Sequence, residues 1–159
     1  MLRKIKYILI FTALMAGIYS CVKKKTYSQS PEIEFKDFIP YQKDSADMVI
    51  GFSDGDGDIG RNQGDSATNL WMNYYYKDTL TGKYRLVYSA TANDSIRTPY
   101  IIRKPTDNYE GKSITGEVAV RMGRFRHSTK IKYFKYVIYM YDNKGNRSNV
   151  VTTPEFYIP

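Results

Sequence analysis

The sequence predicts an all-β fold, an antiparallel β-sandwich of about seven strands, preceded by a signal peptide and a short tether. Three observations carry that prediction. From Glu32 onward, apolar residues recur at every second position, the period of a half-buried strand. Runs rich in Tyr, Val, Ile and Phe are short and punctuated by Gly, Asn, Asp and Pro. No stretch of about ten residues or more carries a helical apolar stripe, and no internal repeat is present. A small closed barrel satisfies the same pattern and stands as the competing architecture.

The strands follow in order. Ile33 and Phe35 alternate with Glu32, Glu34 and Lys36. Met48, Ile50 and Phe52 share one face of the next strand, with Asp47, Gly51 and Ser53 on the other. Leu70 to Lys77 and Lys83 to Tyr88 flank Asp78-Thr79-Leu80-Thr81-Gly82, a short Gly-containing connection that signals a hairpin. Ile114, Gly116, Val118, Val120 and Met122 alternate with Thr115, Glu117, Ala119 and Arg121 in the clearest strand of the chain. Ile131 to Asp142 is apolar on both faces after Lys135 and reads as a central strand. Asp142-Asn143-Lys144-Gly145-Asn146 forms a turn. Asn149 to Thr153 returns from it, and Glu155 to Ile158 supplies a last short strand.

Upstream of these strands, Met1-Leu2-Arg3-Lys4-Ile5-Lys6 is a basic start, followed by an apolar run from Tyr7 to Tyr19 and then by Ser20-Cys21. That order is a secretory signal peptide, and the apolar run falls short of the roughly 20 residues a membrane-spanning helix needs. The one cysteine of the chain sits directly after a small residue where the apolar run ends. Gly17-Ile18-Tyr19-Ser20-Cys21 resembles the looser lipobox of Bacteroidota-type lipoproteins, departing from the commonest pattern at Ile18 and Tyr19. The resemblance implies cleavage before Cys21 and lipid on its sulfur, which also removes a free thiol from an oxidising compartment. The expected organisation is a signal peptide over 1–20, a lipidated cysteine and flexible tether over 21–31, and a sandwich over 32–159.

With one cysteine no internal disulfide is available, so the domain depends on its own core; a chain 42% hydrophobic and 15% aromatic can build one. Net charge is +8, three of it from Arg3, Lys4 and Lys6. Export argues against a nucleic-acid partner, although the basic and aromatic composition alone would allow one. Lys23-Lys24-Lys25, next to the lipid, suit anionic headgroups at roughly 1 kcal/mol per residue. A solvated spacer accounts for them equally well. Surface-export signals in such bacteria are acidic, so the basic tether points to the outer membrane with the domain facing the periplasm.

Phe52-Ser53-Asp54-Gly55-Asp56-Gly57-Asp58-Ile59-Gly60 concentrates the chemistry of the chain. Three carboxylates at spacing two repel one another unless a cation neutralises them, and Ca2+ accepts six to eight oxygens at about 2.3–2.6 Å in irregular geometry. Against the calcium loop of the EF-hand, Asp54, Asp56 and Asp58 take the first, third and fifth positions, and Asp65 the twelfth. The sixth-position glycine is replaced by Ile59, and Asp65 is shorter than the usual Glu. A metal-free turn remains the alternative, because alternating Asp and Gly is also turn chemistry.

Catalytic readings have little to stand on. The single histidine, His127, lies in the polar stretch Arg124-Phe125-Arg126-His127-Ser128, and acylation consumes the cysteine. Zinc clusters, phosphate loops and dinucleotide fingerprints are absent from the sequence. Carboxylates so closely spaced in one loop do not suit the roughly 5–9 Å separations of glycoside hydrolysis. Trp71 and Tyr75 share one face of their strand, while Leu70, Met72, Tyr74 and Tyr76 share the other. One face is core, and the other could present aromatics to a glycan.

Tyr139 to Val150 resembles the last hairpin of immunoglobulin-like and fibronectin-type domains. In that fold the loop after the second strand and the turn after the sixth lie at one end, which would bring Asp142 or Asn143 to the aspartate loop. The lipobox, the Phe52 strand with its Asp-Gly loop, Ile114-Thr115-Gly116-Glu117 and Asn146 to Glu155 together resemble a set of small uncharacterised Bacteroidota lipoproteins. That resemblance implies location and fold, with no activity attached. The expected function is a non-catalytic envelope binding domain for adhesion, assembly or scaffolding, stiffened by Ca2+ through Asp54, Asp56, Asp58, Asp65 and Asp142. The alternative is a carbohydrate-binding module using Trp71 and Tyr75.

Overall fold

A computed structural model describes residues 27–41, 44–89, 94–95, 98–105, 109–125, 127–128 and 130–159. The segment read as a signal peptide, Cys21 and the first part of the tether lie outside the described residues.

Eleven strands carry the described fold: β1 (Glu32–Pro40), β2 (Ala46–Asp54), β3 (Leu70–Lys77), β4 (Tyr84–Leu86), β5 (Tyr88–Ser89), β6 (Asp94–Ser95), β7 (Pro99–Tyr100), β8 (Ile114–Met122), β9 (Tyr133–Met140), β10 (Val151–Thr152) and β11 (Phe156–Tyr157). One sheet runs β1-β2-β8. The other runs β10-β9-β3-β4, with β7 added to β3 and β11 to β9. β5 and β6 pair separately, and every strand pair is antiparallel. With β2 beside β8 in one sheet and β9 between β10 and β3 in the other, the pairing order is that of the immunoglobulin-like sandwich. No α-helix occurs among the described residues.

Alternation decides which side chains enter the core. On β3, Leu70, Met72 and Tyr74 are buried while Trp71, Asn73 and Tyr75 are half-buried on the outer face. On β9, Phe134, Tyr136, Ile138 and Met140 point inward. β9 is a central strand, between β10 and β3, as its nearly apolar run leads one to expect, and its outward residues are half-buried. Met48 and Ile50 of β2 and Met122 of β8 complete the facing layer. In β1 the period fails once. A register shift between Phe35 and Asp37 inserts an extra residue, and Phe38 rather than Asp37 then turns toward the core.

The core is aromatic at one end. Phe134 is fully buried, with the rings of Tyr74 at 5.1 Å, Phe156 at 5.5 Å, Phe125 at 5.8 Å and Phe38 at 6.1 Å. Those neighbours come from β3, β11, the β8–β9 connection and β1, so a single ring joins both sheets. Tyr136 donates its hydroxyl to the carbonyl of Phe125 at 3.2 Å, which allows a buried tyrosine beside it.

Removing the Phe134 ring leaves a cavity that rigid flanking rings cannot close. Phe134→Ala is expected to cost about 3–5 kcal/mol, lowering the melting temperature by roughly 10–20 °C. Phe134→Leu should cost less than half of that. Equal losses for the two variants, measured by urea unfolding, would show that ring packing is not what joins the sheets.

Candidate metal centre

The chain leaves β2 at Asp54, which is fully buried, and the loop to β3 begins with alternating Asp and Gly. Glycine is required here because other backbones press against the loop. A Cβ on Gly57 would run into the carbonyl oxygens of Tyr109 and Lys112, and one on Gly55 into those of Tyr27 and Ser28. Gly57 also adopts φ = +68° and Gly60 φ = +88°, where a side chain is strained. Further bonds fix the arrangement. The Gly55 N–H donates to the Ser28 carbonyl at 2.7 Å, and the Arg61 N–H to the Ile102 carbonyl at 2.8 Å. With neighbouring chain closing over the glycines, the three carboxylates converge.

Asp54, Asp56 and Asp58 each offer one oxygen, and these oxygens lie within 4.8 Å of one another. Two oxygens bound to one ion at about 2.3–2.6 Å lie no more than roughly 5 Å apart, so the separation fits a shared cation. Their hydrogen bonding is incomplete. Asp54 Oδ2 accepts the Asp58 N–H at 3.0 Å, but Asp54 Oδ1, Asp56 Oδ1 and both oxygens of Asp58 are buried without a hydrogen-bond partner. Burial, and then the charges of Asp56 and Asp58, push the Asp54 carboxyl up to about 6. Burial, and then Asp142, push Asp58 upward as well. Asp56 moves the other way, below the usual carboxylate range, because the Lys144 ammonium bonds its Oδ2.

Lys144 arrives from the β9–β10 turn, as do Asp142 and Asn143. The turn meets the aspartate loop along its length. The Asn143 N–H donates to the Asp58 carbonyl at 3.2 Å, its Nδ2 donates to the Gly60 carbonyl at 2.8 Å, and Arg61 Nη1 donates to Asn143 Oδ1 at 2.8 Å. Lys144 Nζ also stands 3.6 Å from Asp58 Oδ2. Asp142 is buried beside the group, and its charge acts on both Asp54 and Asp58. It keeps its oxygens on the Asn146 N–H at 2.8 Å and Asn146 Nδ2 at 2.7 Å. Of these four carboxylates, Asp56 and Asp58 share the Lys144 ammonium. That ammonium is reversible in a way the carboxylates are not: the Lys144 side chain is 61% exposed, whereas those of Asp56 and Asp58 are 14% and 7% exposed.

Asp65 stands outside the group. Its Oδ1 accepts the Ala67 N–H at 2.8 Å in a local turn, and its carbonyl takes a bond from Arg103. The EF-hand comparison therefore holds for its first three positions only. A loop free of flanking helices has no reason to curl back over the length that comparison assumes. Lys144 and Asn146 were not among the expected residues, although both sit in the Asp142-to-Asn146 turn that the sequence marks out.

On the outer face of the larger sheet, Trp71 stacks on Tyr139 at 5.5 Å with 9° between planes, and Tyr141 meets Trp71 edge-on at 5.4 Å. The Arg147 guanidinium lies 4.3 Å from the Tyr139 ring centre. Tyr139 is thus flanked by Trp71 and Arg147, and Trp71 gives one of its faces to Tyr139. Tyr75 lies further along the face, opposite Lys135.

Comparison with family models, with curated proteins and with solved structures finds no match for this chain.

The raised carboxyl of Asp54 gives a pH dependence with a definite sign. Between about pH 4 and 6 in chelator, the folded chain holds a proton on Asp54 that the unfolded chain releases, so stability falls as pH rises through that window. His127, lowered by burial, acts in the opposite direction below its ordinary value, so the informative quantity is a difference. Asp54→Asn is expected to gain stability over the wild type as pH rises from 4 to 7 without metal. A constant difference across that range in urea unfolding would mean that Asp54 is not strained by its charge.

Proposed function

We propose that this chain is a lipid-anchored, non-catalytic binding domain of the cell envelope, whose aspartate loop takes a calcium ion through Asp54, Asp56 and Asp58. The observation that carries the metal is the set of four buried carboxylate oxygens on these residues that lack a hydrogen-bond partner. A buried ionised carboxylate without partners costs several kcal/mol, and a divalent cation supplies what the missing donors do not. The donor set is all oxygen and irregular, which favours Ca2+ over zinc, with its nitrogen and sulfur ligands, and over the strict octahedron of Mg2+. Lys144 is the resident counter-ion without metal and swings to solvent when the ion enters. Asp142 contributes charge from beside the site.

The ion would serve mechanics. The aspartate loop is bonded at Gly55 to Ser28, where the chain arrives from the tether, and at Asp58 and Gly60 to the β9–β10 turn. Calcium there stiffens the junction between domain and anchor, as suits a domain held on a membrane and loaded by a partner. The anchor itself rests on the sequence: a basic start, an apolar run too short to span a bilayer, and Cys21 after Ser20. The outer membrane with the domain in the periplasm follows from the basic tether.

Three outcomes are expected. Residues 22–159 should melt several degrees higher in calcium at about a hundred times its dissociation constant than in chelator, a gain of about 2.7 kcal/mol. Asp54→Asn should raise the melting temperature in chelator and abolish the calcium response. A variant less stable than wild type in both conditions would make the loop a metal-free turn. For the anchor, Cys21→Ala in the full chain should abolish incorporation of labelled palmitate and release the protein from the membrane fraction. Retained label would place the lipid elsewhere.

A further inference from the structure

The two ends of the sandwich differ in charge. The N-terminal segment enters at the end that holds the aspartate loop, since Glu32 pairs with Ser53 at the finish of β2. The opposite end is formed by the finish of β3, the start of β4, the β8–β9 connection and β11. From Arg121 to Lys135 the sequence places six Arg or Lys and no Asp or Glu, and the described residues of this run leave β8 and enter β9 at that far end. Arg121, Arg124, Lys130 and Lys132 are exposed there. Arg121 is paired with Asp47, and the backbone of Lys132 joins the end of β11 through the Ile158 N–H, which donates to the Lys132 carbonyl at 2.9 Å.

Aromatic rings are interleaved with these cations. Tyr133 is 37% and Tyr157 55% exposed, their ring centres 4.9 Å apart. Lys77 Nζ lies 5.4 Å from the Tyr133 ring centre but is already paired with Glu155 at 2.9 Å, which leaves Arg124, Lys130 and Lys132 as the cations the patch offers. Single exposed tyrosines and lysines are ordinary on a surface; what marks this end is two exposed rings in contact beside a stretch of sequence that carries cations and no acid. Cations recognise the acidic groups of a polymer, and exposed ring edges and faces recognise the C–H surfaces of sugar rings between them.

From this placement we infer that the far end of the sandwich docks an acidic glycan, a polysaccharide bearing carboxylate or phosphate groups. The choice of a glycan over a bilayer rests on the lipid anchor proposed above, which ties the opposite end to the membrane. The binding itself does not depend on that anchor or on calcium.

Binding is measured with the full chain carrying Cys21→Ser, which cannot be acylated, against polygalacturonate, neutral dextran of equal length, and vesicles of phosphatidylglycerol and phosphatidylcholine. Polygalacturonate should bind and dextran should not, with affinity falling as salt rises. Lys130→Glu with Lys132→Glu should weaken that binding by about tenfold or more without changing thermal unfolding. Lys104→Glu with Lys112→Glu, at the aspartate-loop end, should leave it unchanged. Tyr157→Ala should weaken it without altering the salt dependence. The inference is overturned if polygalacturonate binds no better than dextran, or if both lysine pairs matter equally. It is also overturned if the vesicles bind more tightly than polygalacturonate with the same dependence on Lys130 and Lys132.

Discussion

Everything at the end of the sandwich where the chain enters β1 depends on an electrostatic conflict: oxygens of Asp54, Asp56 and Asp58 are gathered within 4.8 Å of one another and largely shielded from water. Carboxylates left to themselves would separate and hydrate. They are held because the residues between them are glycines, against which the backbones of 27–28 and 109–112 close. The same loop is bonded to the β9–β10 turn through Asn143, so the conflict cannot be relieved by moving the loop without opening one end of the sandwich. A cation or a proton on Asp54 can relieve it. Lys144 supplies one charge from the solvent side.

The sandwich makes this possible by dividing its labour. The aromatic packing around Phe134 joins the sheets at the end far from the aspartates. The aspartate end has its own apolar packing in Ile59, Leu70 and Met140, and is tied in addition by backbone contacts, by Asn143 and by Lys144. An ion placed there would add to the bonds that hold the loop against the β9–β10 turn. The Asp54 to Asp58 cluster lies at one end, and the stretch from Arg121 to Lys135, which carries no acid, begins and ends at the other, where Asp47 and Glu155 pair with Arg121 and Lys77.

Much of the fold was legible because strands announce themselves by alternation and their boundaries by Gly, Asn and Asp. β2, β3, β8 and the β3–β4 hairpin follow from that pattern alone, and the end-sharing of the aspartate loop and the Asp142 turn follows from the immunoglobulin-like order. What was not legible depends on contacts distant in sequence. The irregularity after Phe35 is set by the pairing of β1 with β2, and the short β7 exists only because 99–100 meets 70–71. At the site, spacing marked Asp54, Asp56 and Asp58, but local spacing also suggested Asp65, which turns instead to Ala67. Nothing in the residues near Asp56 points to Lys144, which lies across the loop-to-turn junction.

A crystal structure grown in millimolar calcium tests the central claim most directly. An ion bound by oxygens of Asp54, Asp56 and Asp58 at about 2.3–2.6 Å, with six to eight oxygens in all and Lys144 turned to solvent, is the expected result. Lys144 still bonded to Asp56, with no ion among the carboxylates, would contradict it and leave the loop as a turn neutralised by lysine and by protons.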